Sequence, residues 1–177
     1  MKKLLFCIVS LLMSGILVAC DDDAPLPNPL ALTHEAIGAY CGMILTEHPG
    51  PKAQVFEKNN PEPHWFTSVK DAVMYLTLPG EAQDAIVTYV QDMAVAHSWE
   101  RPQDDGIWIN LKDAYFVVGS RKIGGMGMPE FVPFSIKEKA IDFSKQYGGR
   151  VVRLSEITTE DLDLAHTQID MGKIAKE

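Results

Sequence analysis

Cysteine is scarce in this chain: 177 residues contain three, at positions 7, 20 and 41, which leaves no material for a disulfide framework. Positive charge is also short, with 16 Lys and Arg against 24 Asp and Glu and a net charge of −8. A surface of that sign repels phosphate, so nucleic acid is excluded as a partner. Ser120, in Val118-Gly119-Ser120, lacks the nucleophile-elbow pattern, and no glycine-rich phosphate loop occurs, so the signatures of hydrolases and nucleotide-binding enzymes are missing. Asp104 and Asp105 lie in a polar, proline-led turn and read as solvated. Long apolar runs are absent after residue 19, and no transmembrane helix is expected.

What is there begins with an export layout. Lys2 and Lys3 precede an apolar run from Leu4 to Val18 that is too short to span a bilayer stably. It ends in Leu17-Val18-Ala19-Cys20, which resembles the lipobox of bacterial lipoproteins. That resemblance implies cleavage before Cys20 and a diacylglyceryl group on its sulfur, with the protein on the periplasmic side of the envelope. Each buried acyl methylene adds about 0.8 kcal/mol of membrane binding, so two or three chains make a lasting anchor. Asp21-Asp22-Asp23 resembles the signal that retains lipoproteins in the inner membrane. Residues 24–30 carry three prolines and read as an extended spacer. The expected organisation is a signal peptide at 1–19, a lipidated N-terminus and spacer at 20–33, a folded domain at 34–170 and a polar tail at 171–177. Loss of Lys2 and Lys3 leaves 14 basic against 24 acidic side chains.

Within the domain, 51–56 and 64–66 read as strands, followed by a helix over 69–76 with Ser68 as N-cap, and by a strand at 85–90. The second half repeats this order, with strands at 114–118 and 131–134, a helix capped by Ser135 running to Tyr147, closure at Gly148-Gly149, and a strand at 151–154. Phe66 with Ala72-Val73-Met74-Tyr75 matches Phe134 with Ala140-Ile141-Asp142-Phe143 at identical spacing. The fold class expected is therefore α+β, with two related β-β-α-β units packed as one compact body. Thr159-Glu160-Asp161-Leu162 reads as a short final helix.

With Cys7 removed and Cys20 alkylated, Cys41 is the one free thiol in an oxidising compartment. It is either a buried, inert residue or a ligand. Cys41-Gly42-Met43 sets a thiolate and a thioether two residues apart, a spacing that directs both to one side of a strand or extended turn. This soft pair favours Cu(I) over harder divalent ions. Gly124-Gly125-Met126-Gly127-Met128-Pro129 surrounds two methionines with residues that cannot build a core, leaving the thioethers of Met126 and Met128 exposed for no packing gain. Together the two stretches supply one thiolate and up to three thioethers, enough for three-coordinate Cu(I), whereas zinc would require more Cys or His. His48 is a candidate fourth or transient ligand, or a polar turn residue ahead of Pro49-Gly50-Pro51. His34, His64, His97 and His166 show no ligand spacing and read as surface residues.

Four ordered segments resemble the nitrous-oxide reductase accessory protein family NosL. They are Tyr40-Cys41-Gly42-Met43, Glu47-His48-Pro49-Gly50-Pro51-Lys52-Ala53-Gln54, Ala114-Tyr115-Phe116-Val117-Val118-Gly119-Ser120, and Gly125-Met126-Gly127 with Val132-Pro133-Phe134. The resemblance implies a periplasmic Cu(I)-binding lipoprotein, without catalysis, that delivers copper for the metal centres of apo nitrous-oxide reductase alongside a membrane ABC-type assembly complex. It also implies a fold similar to that of the organomercurial lyase, with Cys41, Met43 and Met126 as sulfur ligands. Gly125 departs from the proline common there, and Met128 adds a second thioether, which leaves Met128 as an alternative to Met126. Two other readings stand beside this one: a thiol-dependent enzyme using Cys41 as nucleophile, and a metal-free maturation adaptor.

Overall fold

A computed structural model of the chain describes residues 25–82, 84–102 and 107–162. The expected signal peptide, Cys20, His166, Asp104, Asp105 and the polar tail lie outside the described residues. No helix among the described residues is long and apolar enough to cross a membrane.

The elements follow the order β1 (Ala53–Glu57), β2 (His64–Phe66), α1 (Val69–Thr77), β3 (Ala85–Gln91), β4 (Trp108–Asn110), β5 (Tyr115–Val118), β6 (Val132–Phe134), α2 (Lys137–Tyr147) and β7 (Arg150–Arg153). They form a four-stranded sheet, β2-β1-β3-β4, and a three-stranded sheet, β6-β5-β7. In each sheet the first strand of the unit lies between its second and third, and every pairing is antiparallel. The two halves are thus β-β-α-β units with the same strand order, as the repeated pattern predicts. One apolar core joins them, because Val55, Phe66, Val69 and Val90 of the first unit pack with Phe116, Val118 and Val152 of the second.

The matched residues also pack alike. Phe66 and Tyr75 place their ring centroids 5.2 Å apart at 43°, and Phe134 and Phe143 place theirs 5.3 Å apart at 56°. Ala72 and Ala140 are both fully buried, since a helix approaching a sheet that closely tolerates only a methyl at its contact point.

Ser68 caps α1 by accepting the Asp71 amide at 3.3 Å. The expected cap on α2 is corrected: the helix starts one residue later, so the N-cap is Ile136, whose side chain has no acceptor, and Ser135 stands ahead of it with its amide donating to Asp92 Oδ1 at 2.9 Å. Gly148 closes α2 with φ +79°, its amide bonded to the Ser144 carbonyl at 2.8 Å. Residues 159–162 form a turn instead of the expected helix, with Asp161 accepting from Thr158 and Arg150. β4 was not anticipated.

The expected spacer lies along the sheet. The Gln54 side chain accepts the Leu30 amide at 2.9 Å and donates to the Leu30 carbonyl at 3.1 Å, while the Tyr89 hydroxyl donates to the Pro27 carbonyl at 2.8 Å.

Candidate metal centre

Cys41 sits in a tight turn. The Ile37–Ile44 bridge closes the base, the Gly38 amide bonds to the Met43 carbonyl at 2.9 Å, and the Gly42 amide bonds to the Gly38 carbonyl at 2.8 Å. Gly42 has φ +67°, so it reverses the chain between Cys41 and Met43; the alternation of an extended strand does not apply here. The turn is held against the first sheet by the Ala39 amide on the Trp65 carbonyl at 2.7 Å, and by Tyr40 edge-on to Phe66 at 5.4 Å. Gly38 is required as well. A Cβ there would lie 2.5 Å from Cys41 Sγ and 2.8 Å from Thr67 Oγ1.

The methionine stretch forms the tip of a hairpin. Ile123 bridges Pro129, the Glu130 amide bonds to the Lys122 carbonyl at 3.1 Å, and the Gly124 amide to the Met128 carbonyl at 2.9 Å. A turn from Gly124 to Gly127 (3.0 Å) crowns it, with Gly127 at φ +73°. Met126 is 36% exposed and Met128 54%, so both thioethers are kept out of the core, as the glycine-rich composition predicts. Trp99 braces the hairpin through Nε1, which donates to the Ile123 carbonyl at 3.1 Å, and Lys122 Nζ lies 4.4 Å from the centre of the Trp99 ring.

The two stretches meet at Thr67, a buried residue between β2 and α1. Its hydroxyl lies 3.2 Å from Cys41 Sγ. A Cβ placed on Gly125 would come within 2.5 Å of Thr67 Cγ2, 2.8 Å of its carbonyl oxygen and 3.1 Å of His48 Cβ. Cys41 and the backbone of the methionine hairpin therefore meet at one threonine, and His48 lies beside the hairpin at Gly125. Met43 is half-buried on the next residue of the cysteine turn but one.

Beneath the hairpin lie two buried charged groups. Lys52 donates to the carbonyls of His48, Pro49 and Gly50 at 2.8, 2.9 and 2.6 Å, fixing the turn whose Gly50 abuts Gly124. Loss of water lowers the Lys52 ammonium to about 8, against the opposing pull of Glu130. Glu130 is 1% exposed. Its Oε1 accepts from Ser68 Oγ (3.1 Å), the Lys70 amide (3.0 Å) and its neighbour Phe131's amide (2.9 Å), so a residue of the second unit caps the helix of the first. Its Oε2 has no hydrogen-bond partner among the described residues. Burial raises the carboxyl to about 7 despite these three bonds and the Lys52 charge.

Sequence reasoning missed Thr67, Gly38 and Glu130, whose roles come from contacts between distant positions. Of the histidines read as surface residues, His34 is exposed and meets Thr46 Oγ1 at 2.9 Å. His64 is corrected to a half-buried β2 residue, 3.2 Å from Glu57 Oε2. Among the described residues no three His, Cys, Asp or Glu cluster as a metal site.

The profile of the family described as NosL matches residues 29–162. The "Copper-binding lipoprotein NosL" of Achromobacter cycloclastes is 44% identical over 146 residues, covering 81% of this chain and 75% of that protein. The protein of the same description from Stutzerimonas stutzeri is 37% identical over 153 residues, covering 85% and 78%. The crystal structure of the copper chaperone NosL from Shewanella denitrificans superposes with a TM-score of 0.71 at 36% identity, covering 76% of this chain and 98% of that one. The chain belongs to the NosL family.

Proposed function

We propose that this chain is a copper metallochaperone that carries Cu(I) as cargo on the Cys41 thiolate with the thioethers of Met43 and Met126. The observation that carries this reading is the meeting of the cysteine turn and the methionine hairpin at one residue, Thr67, the first at its hydroxyl and the second at its methyl and carbonyl. Thiolate and thioether are soft donors, which favour monovalent copper over zinc or calcium. Met126 is preferred to Met128 because it is the less exposed and follows Gly125, the residue seated on Thr67. His48, beside the same hairpin, is an accessory ligand available during exchange.

Delivery needs a site that an incoming ligand can reach. Both thioethers lie at an exposed hairpin tip, which suits stepwise ligand exchange. Family membership supports the nitrous-oxide reductase apo-enzyme as the recipient and an ABC-type membrane complex as a companion in assembly. The lipobox-like Leu17-Val18-Ala19-Cys20 supports a lipid anchor on Cys20, and Asp21 an inner-membrane location facing the periplasm. No catalysis is part of this reading.

Anaerobic titration of the detergent-purified chain against a competing Cu(I) chelator tests it. One tightly held Cu(I) per chain is expected, and Cys41→Ser removes tight binding; full affinity in that variant refutes the assignment. In cells, the same variant leaves the reductase short of copper.

A further inference from the structure

We infer that Thr67 is the positioning residue of the sulfur site, holding the Cys41 thiolate with its hydroxyl while its methyl and carbonyl seat the methionine hairpin through Gly125. This rests on the copper reading above. Thr67 is 2% exposed and stands where β2 hands over to α1, so its backbone is set by the sheet on one side and by the Ser68 cap on the other. β-branching leaves its side chain little rotational freedom, which sends the hydroxyl and the methyl in fixed, different directions. The hydroxyl meets Cys41 Sγ at 3.2 Å, and the methyl and carbonyl line the space that only a glycine at 125 leaves open.

The direction of the bond follows from charge. A cysteine ligating copper has lost its proton, so Thr67 must then donate its hydroxyl hydrogen to the sulfur. A hydrogen bond to an anion is among the stronger kinds, and it orients the lone pairs left for the metal. The same residue that orients the thiolate also sets how near the thioethers come. Spacing between the two sulfur-bearing stretches therefore depends on one buried side chain.

The test uses the full chain in detergent, with wild type, Thr67→Val, Thr67→Ser and Cys41→Ser compared by anaerobic Cu(I) competition and by the near-ultraviolet thiolate–copper band. Thr67→Val keeps the shape and loses the donor, and it is expected to weaken Cu(I) binding about tenfold or more and to move the band. Thr67→Ser keeps the donor and is expected to restore the wild-type band. Wild-type affinity and an unmoved band in Thr67→Val overturn the inference while leaving copper binding intact. If Thr67→Val fails to fold, a displaced band in a folded Thr67→Ser overturns it instead. Wild-type protein that takes up no Cu(I), or Cys41→Ser that binds as tightly as wild type, overturns the copper reading itself.

Discussion

The two β-β-α-β units share strand order, a phenylalanine packed on an aromatic nine residues later and a helix alanine pressed to the sheet, yet they differ in their connections, most of all between the first two strands. Residues 58–63 join β1 to β2, whereas residues 119–131 join β5 to β6, and the extra length in the second unit is the methionine hairpin. The first unit has no such arm. It has instead the receiving surface, Thr67 at the β2–α1 junction, and the cysteine turn laid against β2. One unit reaches and the other receives, so the proposed centre lies at the seam of a repeat and belongs to neither half alone.

The largest expected effect probes what the units share. Phe66→Ala and Phe134→Ala each empty a fully buried site and are expected to cost about 3–5 kcal/mol in chemical unfolding. They should part on copper: Phe66→Ala loosens Thr67 next to it and weakens Cu(I) binding, whereas Phe134→Ala, measured under conditions where it is folded, leaves affinity near wild type. Equal copper loss in both would erase the distinction between reaching and receiving halves.

Glu130 crosses the seam, and its titration gives the next effect. The folded protein keeps the carboxyl protonated up to about pH 7, whereas the unfolded chain releases that proton near 4.5. The folded state therefore binds more protons in this window. Its contribution is fully present below pH 4.5 and is lost as pH rises through 7, on the order of 3 kcal/mol in all. Denaturation of the apo protein across this range should show the decline, and Glu130→Gln should flatten it.

Gly125→Ala pushes the hairpin off Thr67. A stability loss of about 1–3 kcal/mol is expected, with Cu(I) affinity reduced roughly ten- to hundredfold in the chelator assay. The smallest effect concerns the helix starts. Ser68→Ala should cost about 1 kcal/mol, and Ile136→Asp, giving α2 the side-chain cap it lacks, should add about 0.5–1 kcal/mol in thermal unfolding.

The strands around Val87 and Phe116 were legible because they are rich in β-branched and aromatic residues, and α1 because its buried positions recur at helical spacing. β4 was not, since Trp108, Ile109 and Asn110 are all half-buried edge residues with no run to announce them. The ligand candidates showed through their chemistry, as soft atoms set among glycines. Thr67 could not, because its neighbours Cys41 and Gly125 are brought to it only by folding. Nor does a sequence reveal that Lys52 and Glu130 are sealed from water. In these cases the tertiary surroundings, and not residue type, decided the role.

The clasp of Gln54 and Tyr89 on the early chain bears on reach. With Pro27 and Leu30 fastened to the sheet, the proposed lipid on Cys20 would stand no more than seven residues from that clasp, a span of at most about 24 Å when fully extended. Under the proposed lipid anchor, so short a leash would confine the domain to a thin shell over the bilayer, and the proposed recipient would have to come to that shell to collect its metal.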